Sequence, residues 1–258
     1  MKVVILAGGV GSRLSEETYL KPKPMIEIGD RPILWHIMKI YSHYGYNDFI
    51  ICLGYKSFMI KQYFANYCLY NSDTIIDTGN NTVKFCNKKT EGWKVTLVDT
   101  GIETMTGGRI KKIQPYIENK TFMLTYGDGV GNVNIEKLVK FHKANKKYAT
   151  VTTVQPFGRF GVLEINSKGQ VTHFHEKPKD DATWINGGFF VLEPKIFDYI
   201  EGDNTLWEEK PLKLLSKNGK LCAYRHKNFW MCMDTLRDKQ ELEKLWNSGN
   251  PPWKIWGK

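Results

Sequence analysis

The sequence predicts an α/β fold: a mostly parallel, mixed β-sheet flanked by helices, with an inserted β-meander and a C-terminal helical extension. Two patterns predict it. Apolar runs of strand length alternate with stretches whose apolar residues recur at helical spacing, and turn residues separate them. A chain of 258 residues without a repeat, linker or low-complexity stretch suits one core, so we expect a single domain, residues 1–258.

The first half of the chain carries this alternation most clearly. Its opening apolar run, VVIL, leads directly into glycines, and a later run, FIICL, follows the helix-breaking Gly45. The predicted strands here are residues 2–6, 49–53 and 122–126, and the predicted helices are residues 33–44, 57–67 and 135–145. Parallel strands joined by helices give a Rossmann-like sheet.

Two regions depart from this alternation. Residues 74–100 contain three short strand-like runs separated by turn signals such as Gly79-Asn80-Asn81, which predicts the inserted meander. From residue 150 onward the pattern again favours strands until a last helix. These predicted strands are residues 151–154, 161–165, 170–177 and 186–192, the helix is 237–246, and the tail 251–258 should pack as an extended segment.

The formal net charge of +10 suggests an anionic partner, either nucleic acid or a phosphate-rich small substrate. The lysines occur in short clusters such as Lys88-Lys89 and Lys111-Lys112, without the long basic arm of a nucleic-acid module. We therefore expect no nucleic-acid partner, and most of these lysines should lie on solvated faces.

Cysteine usage and hydropathy bear on the compartment. The five cysteines are scattered and include no CxxC pair, so we expect reduced thiols. The sequence contains no run of eighteen apolar residues, so it predicts no membrane-spanning helix. The first strand is too short for a signal-peptide core. We expect a cytoplasmic protein with no membrane partner.

The glycine-rich loop after the first strand, Gly8-Gly9-Val10-Gly11, predicts a phosphate site, because glycines let backbone N–H groups approach an anion. The dinucleotide fingerprint fails where Leu14 replaces its third glycine, although Glu27 lies near the distance expected for a ribose-binding acid. The P-loop pattern fails because no Gly-Lys-Ser/Thr closes the loop. Two interpretations remain: Arg13 and Lys23 jointly neutralise a triphosphate, or the glycines only make a tight turn.

Two aspartates are candidate metal ligands. Asp128 follows the predicted strand 122–126, and the carboxyl end of a parallel strand is where α/β folds bind ligands. Its carboxylate suits Mg²⁺, which usually takes one or two carboxylates plus phosphate oxygens. Asp234 precedes the last helix and is the best second ligand, but a role as the helix N-cap explains it equally well.

The segment LAGGVGSRL followed by KPKPM resembles the signature of the sugar-1-phosphate nucleotidyltransferases. The resemblance implies that the loop wraps a nucleoside triphosphate and that Asp128 and Asp234 bind Mg²⁺ together. The nucleotide-binding residues it implies in this part of the chain are Leu6, Ala7, Gly8, Gly9, Val10, Gly11, Ser12, Arg13, Lys23 and Gly127. It assigns catalytic roles to Arg13, Lys23, Asp128 and Asp234.

Three later stretches also resemble this family, and they imply a sugar-phosphate site. GRFG, HEKP and INGG match the segments that line the sugar pocket, bind the sugar phosphate and close over the sugar. The residues implied are Gly161, Glu176, Lys177 and Asn186. His173 and His175 beside Glu176 also suggest zinc, but alternation along a strand explains them better, since no second ligand pair is evident.

The matching segments run nearly from end to end and resemble the glucose-1-phosphate cytidylyltransferases within this family. They include SEETYLKPKPM, MTGGR, TYGDGV and FWMCMDTLRDK. That resemblance adds Thr104, Gly107 and Arg109 as nucleotide contacts. It also implies CTP and glucose 1-phosphate as substrates, a role in making CDP-linked sugars for surface polysaccharides such as O-antigen, and a homo-oligomer, either a trimer or a hexamer.

The implied reaction needs no general base, because the attacking sugar-phosphate oxygen is already ionised at neutral pH. We expect Arg13 to stabilise the departing pyrophosphate, Lys23 to contact the α-phosphate and Lys177 to hold the attacking phosphate. The alternatives are the same chemistry with UTP, dTTP or another sugar phosphate, a nicotinamide oxidoreductase, and a non-catalytic sensor of nucleotide sugars.

Overall fold

The computed structural model describes residues 1–11, 14–155, 162–167, 169–175 and 183–257. The strands are β1 Val3–Leu6, β2 Glu27–Ile28, β3 Arg31–Pro32, β4 Asp48–Leu53, β5 Asp73–Asp77, β6 Thr82–Cys86, β7 Lys94–Asp99, β8 Phe122–Tyr126, β9 Gly129–Gly131, β10 Ala149–Val154, β11 Val162–Ile165, β12 Val171–His175, β13 Ile185–Leu192, β14 Leu221–His226 and β15 Trp230–Cys232. The helices are α1 Ser15–Thr18, α2 Ile33–His43, α3 Ser57–Ala65, α4 Tyr67–Tyr70, α5 Thr106–Lys112, α6 Gln114–Ile117, α7 Ile135–Asn145, α8 Lys210–Lys217 and α9 Leu236–Asn247, and Lys23–Met25 and Pro194–Tyr199 form 3₁₀ turns. None of these helices is long and apolar enough to cross a membrane.

Within the described residues, one mixed sheet has the strand order β14-β10-β13-β8-β1-β4-β7. β1 pairs in parallel with β4 and β8, and β10 pairs in parallel with β14. β13 is antiparallel to both β8 and β10, so it runs against its neighbours. The predicted mostly parallel mixed sheet with flanking helices is confirmed.

Helices and loops cover both faces of the sheet, which is why VVIL in β1 is apolar at every position. Val3 and Ile5 belong to a core shared with the buried face of α2. Val4 and Leu6 belong to a second core, shared with α5 and with Phe122 and Leu124 of β8. The carboxyl end of β1 is therefore held rigidly where the glycine loop begins.

The predicted three-stranded meander is instead a two-stranded hairpin, β5 and β6, followed by a strand of the central sheet. β7 pairs in parallel with β4, with Phe49 opposite Val95 and Leu53 opposite Asp99. The sequence pattern identifies β7 as a strand, but it carries no information about which strand becomes its neighbour. Similarly, the predicted helix 57–67 is α3 alone, with α4 beginning after Asn66.

The sequence pattern did not predict several of these elements, chiefly β9, β14, β15, α5 and α8. β9 has the sequence Gly-Val-Gly, and α5 contains two glycines in its first turn. Glycine weakens any local preference for strand or helix, so tertiary contacts decide the structure of these segments. Two of them, β9 and α5, form part of the candidate site described below.

The C-terminal tail packs against the core, as predicted, but through turns rather than as an extended strand. Trp253 is fully buried, and its ring stacks on Phe229 and Trp246. Its indole Nε1–H donates to Nδ1 of the buried His36, 3.3 Å away, while Nε2 of His36 lies 2.9 Å from the carbonyl oxygen of Ile28. Because Nδ1 accepts a hydrogen bond and Nε2 faces a carbonyl oxygen, His36 is a neutral imidazole in the tautomer that carries its proton on Nε2.

The free energy of unfolding should fall as pH drops below about 6.5, because burial lowers the pKa of His36 to about 4. A group whose pKa is depressed in the folded state favours unfolding once it protonates, and the full difference corresponds to about 3 kcal/mol. Urea unfolding between pH 7.5 and 4 should show a smaller pH slope in His36→Gln than in the wild type. The matched change at the exposed His43 should keep the wild-type slope, and equal slopes in all three proteins would contradict this explanation.

Candidate active site

The candidate site lies at the carboxyl ends of β1 and β8, around a cavity of about 340 Å³. The residues that line it are Leu6, Ala7, Gly8, Gly9, Gly11, Lys23, Pro24, Thr104, Met105, Thr106, Arg109, Tyr126, Gly127, Asp128 and Leu206. Nine of the predicted nucleotide-binding residues are among them. A larger groove, of about 1040 Å³, lies near the start of β10 and contains none of the predicted site residues.

Four other predicted nucleotide-binding residues do not line the cavity, and the structure describes two of them, Val10 and Gly107. Val10 is exposed beside the cavity, and Gly107 packs against Thr205, whose carbonyl oxygen accepts its N–H at 2.8 Å. The structure thus brings most of the nucleotide set together. The predicted residues Ser12, Arg13, Gly161, Glu176 and Lys177 lie outside the described residues.

Backbone hydrogen bonds shape the glycine loop. Ala7 N–H donates to Cys52 O at 3.0 Å, which extends the β1–β4 ladder by one residue. Gly11 has φ of 70°, a left-handed conformation that favours glycine, and its carbonyl accepts from Leu14 N–H. An added side chain at Gly9 would meet no atom within 4 Å, so the backbone at Gly9 faces open space. A ligand can therefore approach the loop closely at this point.

The buried side chain of Arg109 holds the glycine loop in place through hydrogen bonds. Its side chain is 4% exposed, and its guanidinium donates to the carbonyl oxygens of Gly8 and Ile102 from Nη2, both at 3.0 Å. Nη1 donates to Leu53 O, Gly101 O and Thr100 Oγ1 at 2.7–3.0 Å. One side chain thus connects β1, β4, β7 and α5. Sequence reasoning assigned Arg109 to the nucleotide and missed this role; the direct nucleotide contact stays a prediction.

The guanidinium also explains why two positions carry glycine. A Cβ at Gly8 would lie 2.1 Å from Nη1 of Arg109, and one at Gly54 would lie 2.5 Å from the same atom. Gly8 therefore has a second function besides exposing its backbone, since it makes room for the side chain that holds the loop. Thr104, which is 6% exposed, lines the cavity on the same side and accepts from Lys112 Nζ at 3.1 Å.

Lys23, Asp128 and Asp234 form the charged centre of the site. Nζ of Lys23 lies 2.7 Å from Oδ2 of Asp128 and 2.6 Å from Oδ1 of Asp234. Lys23 lies between Pro22 and Pro24 and is the first residue of a 3₁₀ turn. Pro22, which precedes the turn, has φ of −64° and ψ of 145°. The prolines restrict the backbone on both sides of the lysine, which presents its side chain to the two acids.

The pairing of β9 with β15 brings the two aspartates together across 106 residues, the interval from 128 to 234. In this antiparallel pair, Gly129 lies opposite Cys232, and Met233 N–H donates to Asp128 O at 2.8 Å. Asp128 and Asp234 therefore leave neighbouring strand ends on the same side. Neither strand was predicted from sequence, so the proximity of the two acids was inferred only from the family resemblance.

The structure assigns the N-cap of α9 to Thr235 rather than Asp234. Thr235 Oγ1 accepts from Asp238 N–H at 3.2 Å, and Asp238 Oδ2 accepts from Thr235 N–H at 2.9 Å, which is a reciprocal capping box. The N-cap interpretation of Asp234 is wrong. Its carboxylate instead faces Lys23 in the site.

The charges of this cluster shift the protonation equilibria of its members. Burial alone would lower the pKa of Lys23, but the charges and hydrogen bonds of Asp128 and Asp234 outweigh burial and raise that pKa. The neighbouring thiol of Cys232 has its pKa raised to about 12, first by burial and then by Asp234 and Asp128. Lys23 is therefore a permanent cation at neutral pH, and Cys232 remains a thiol.

The two carboxylates fit a magnesium ion that shares its coordination with substrate. Hard oxygen donors suit Mg²⁺, which is typically held by one or two carboxylates and completed by phosphate oxygens and water. No group of three or more His, Cys, Asp or Glu side chains able to hold a metal occurs among the described residues. A site with two protein carboxylates is consistent with a metal that binds together with a phosphate ligand.

Asn186 lies at the start of β13, beside the end of β8. Its Nδ2 donates to Tyr126 Oη at 3.1 Å, and its Oδ1 accepts from Gly188 N–H at 2.8 Å. Trp230 of β15 holds the same segment, because its Nε1–H donates to Gly187 O at 2.8 Å. The only predicted sugar-site residue in the described part of the chain therefore lies next to the strands that carry the aspartates.

Replacing Arg109 by lysine should lower the free energy of unfolding by about 1.5–3 kcal/mol, because an ammonium cannot reproduce the fork of donors that holds Gly8, Leu53 and Gly101. Urea unfolding followed by tryptophan fluorescence measures the difference. Arg237→Lys, at an exposed position, is the matched control and should change the stability by less than about 0.5 kcal/mol. A variant at Arg109 as stable as the control would contradict the scaffold role.

Comparisons with known proteins identify the family of this chain. Residues 2–238 match the family model described as nucleotidyl transferase. The chain is 55% identical to a glucose-1-phosphate cytidylyltransferase of Salmonella typhimurium over 99% of this chain and 100% of that protein. It is 46% identical to a probable glucose-1-phosphate cytidylyltransferase of Bacillus subtilis, with the same coverage.

Solved structures agree with the fold. HddC from Yersinia pseudotuberculosis has a TM-score of 0.68 at 25% identity, covering 95% of this chain and 99% of that chain. An apo UDP-glucose pyrophosphorylase, at 18% identity, has a TM-score of 0.69 over 96% and 98% of the two chains and shares the fold. This chain therefore belongs to the nucleotidyl transferase family, in the group that contains the bacterial glucose-1-phosphate cytidylyltransferases.

Proposed function

We propose that this chain transfers a cytidylyl group from CTP to α-D-glucose 1-phosphate, giving CDP-glucose and pyrophosphate. The observation that carries the proposal is the convergence of Lys23, Asp128 and Asp234, because Lys23 and Asp128 line the glycine-loop cavity. The similarity to glucose-1-phosphate cytidylyltransferases over the whole chain supports the choice of base and sugar.

The chemistry fits a site built from charges rather than proton-transfer groups. The phosphate oxygen of glucose 1-phosphate attacks the α-phosphorus of CTP, and the bond from that phosphorus to the β-phosphate oxygen breaks. The nucleophile is already ionised, so the main barrier is repulsion between two anions. Positioning and charge neutralisation therefore account for catalysis, and no side chain has to act as a general base.

The chain's own residues divide this work. Asp128 and Asp234 would hold Mg²⁺, which supplies positive charge to offset the charge of the phosphates when bound. Lys23 offers its ammonium to the α-phosphate, where negative charge develops. We assign Arg13 to the departing pyrophosphate and Lys177 to the attacking phosphate, on the family resemblance.

We assign recognition of the two organic groups to two different sets of residues. We assign Thr104, Gly107 and Arg109, with the backbone of the glycine loop, to the nucleotide. Cytosine differs from uracil by an amino donor in place of a carbonyl acceptor, and the wrong base leaves a buried polar group unpaired. Gly161, Glu176 and Asn186 are assigned to the sugar.

We also propose a homo-oligomer, a trimer or a hexamer, that works in the cytoplasm in the synthesis of CDP-linked sugars for surface polysaccharides such as O-antigen. Tyr19 and Leu20, which follow α1 beside the site, are 79% and 66% exposed. Two large apolar side chains at this position are consistent with a subunit contact near the active site.

Pyrophosphate release with Mg²⁺ and glucose 1-phosphate, measured separately with CTP, UTP, dTTP, ATP and GTP, tests the activity. We expect turnover with CTP far above the others, and none after chelation of the metal. Preference for UTP or dTTP would keep the chemistry and overturn the base assignment. The absence of turnover with every nucleotide would overturn the proposed reaction with glucose 1-phosphate.

Lys23→Ala and Asp128→Asn should each lower kcat/KM by the equivalent of about 2.7–4 kcal/mol, the cost of losing one electrostatic contact to the transition state. Steady-state kinetics with CTP measures the loss. Lys21→Ala, at a half-buried position, and Asp198→Asn, at an exposed one, remove the same charges outside the cavity and should retain wild-type rates. Wild-type rates in the site variants would exclude the assigned roles.

A further inference from the structure

A chain of hydrogen bonds links Asn186, at the start of β13, to Thr106, at the start of α5. Asn186 Nδ2 donates to Tyr126 Oη at 3.1 Å, and Tyr126 Oη donates to Glu208 Oε1 at 2.6 Å. The other carboxylate oxygen, Oε2, accepts from Thr106 Oγ1 at 2.6 Å. Thr106 Oγ1 in turn accepts from Trp207 N–H at 2.9 Å. Four side chains from distant parts of the sequence thus form one continuous network.

The direction of each hydrogen bond in this network is defined. A carboxylate only accepts, so both hydroxyl groups must donate to Glu208, and the Tyr126 oxygen is left to accept from Asn186. Burial, and next the charge of Glu208, raise the pKa of the Tyr126 hydroxyl, which keeps its proton on Tyr126. Gly188 N–H donates to Asn186 Oδ1 at 2.8 Å, so the amide is held at both ends in one orientation.

Local backbone geometry makes room for the Tyr126 ring. Gly188 has φ of 78°, and a Cβ there would lie 2.6 Å from Cδ2 of Tyr126. Glycine at this position both permits the left-handed backbone and lets the ring pack against it. On the other side, Tyr126 and Thr106 both line the cavity that contains Lys23 and the glycine loop. The network therefore borders the space where both substrates would meet.

We infer that Tyr126 and Glu208 are positioning residues that set the orientation of the Asn186 amide for the sugar and tie it to Thr106 at the nucleotide side. This inference rests on the proposed function, because it takes Asn186 as a sugar contact. With one N–H held by Tyr126 and Oδ1 already accepting from Gly188, Asn186 presents its remaining N–H and one lone pair to a sugar hydroxyl in a fixed geometry.

Tyr126→Phe removes the oxygen that orients the amide and takes one donor from Glu208. We expect KM for glucose 1-phosphate to rise about tenfold while kcat stays within about threefold, because a sugar contact acts in the ground state and the transition state alike. Discrimination between glucose 1-phosphate and galactose 1-phosphate should shrink. Tyr116→Phe, at an exposed tyrosine outside the network, is the matched control and should behave as the wild type.

Glu208→Gln provides a second variant at an exposed side chain, so it does not depend on the folding of Tyr126→Phe. An amide accepts through only one atom, so Tyr126 or Thr106 loses its acceptor, and KM for glucose 1-phosphate should again rise. If the residues act as one unit, the double variant should have a KM close to that of the worse single variant rather than the product of both effects. Glu209→Gln, the neighbouring exposed carboxylate, is the control.

The outcomes separate this inference from the proposed function. Absence of turnover by the wild type with CTP and glucose 1-phosphate would overturn the proposed function itself. Turnover by the wild type together with an unchanged sugar KM in both variants would overturn only the positioning role. A loss confined to kcat, or effects that multiply in the double variant, would also contradict it.

Discussion

The site depends on one cluster of charges, a lysine ammonium bound between two aspartates in a half-buried position. Asp128 and Asp234 alone would repel each other at this distance, and the positive charge of Lys23 relieves that repulsion. The strand pair β9–β15 brings Asp128 and Asp234 together, and the turn at Pro22–Pro24 places Lys23 beside them.

A second framework, built on a buried guanidinium and the backbone carbonyl groups around it, supports the glycine loop. Arg109 uses its guanidinium to join the carbonyl groups at the ends of three parallel strands, and glycines at positions 8 and 54 leave it the space to do so. The loop that faces the cavity is therefore supported by a side chain from α5, a helix with little intrinsic tendency to form. Order in the loop and order in α5 depend on each other.

The sequence was sufficient for whatever depends on local pattern. The bounds of β8 and α7 and the position of Asp128 at a strand end follow from periodicity and residue chemistry. The phosphate-binding role of Gly8 to Gly11 stays a prediction. Pairing between distant segments does not, so the place of β7 in the main sheet and the contact of β9 with β15 were missed. The same limit applies to Arg109, since a lone arginine in the sequence gives no sign of five acceptors gathered around it.

The layout of the sheet has a consequence for how the chain folds during synthesis. β1 lies in the middle of the sheet, and its partner β4 is available after residue 53, but β8 on its other side follows about seventy residues later. The packing around His36 is completed only by Trp253, 217 residues later in the chain. Until residue 253 has been synthesised, the nascent chain carries an exposed apolar face on α2, so the core around this helix closes only once that residue is available.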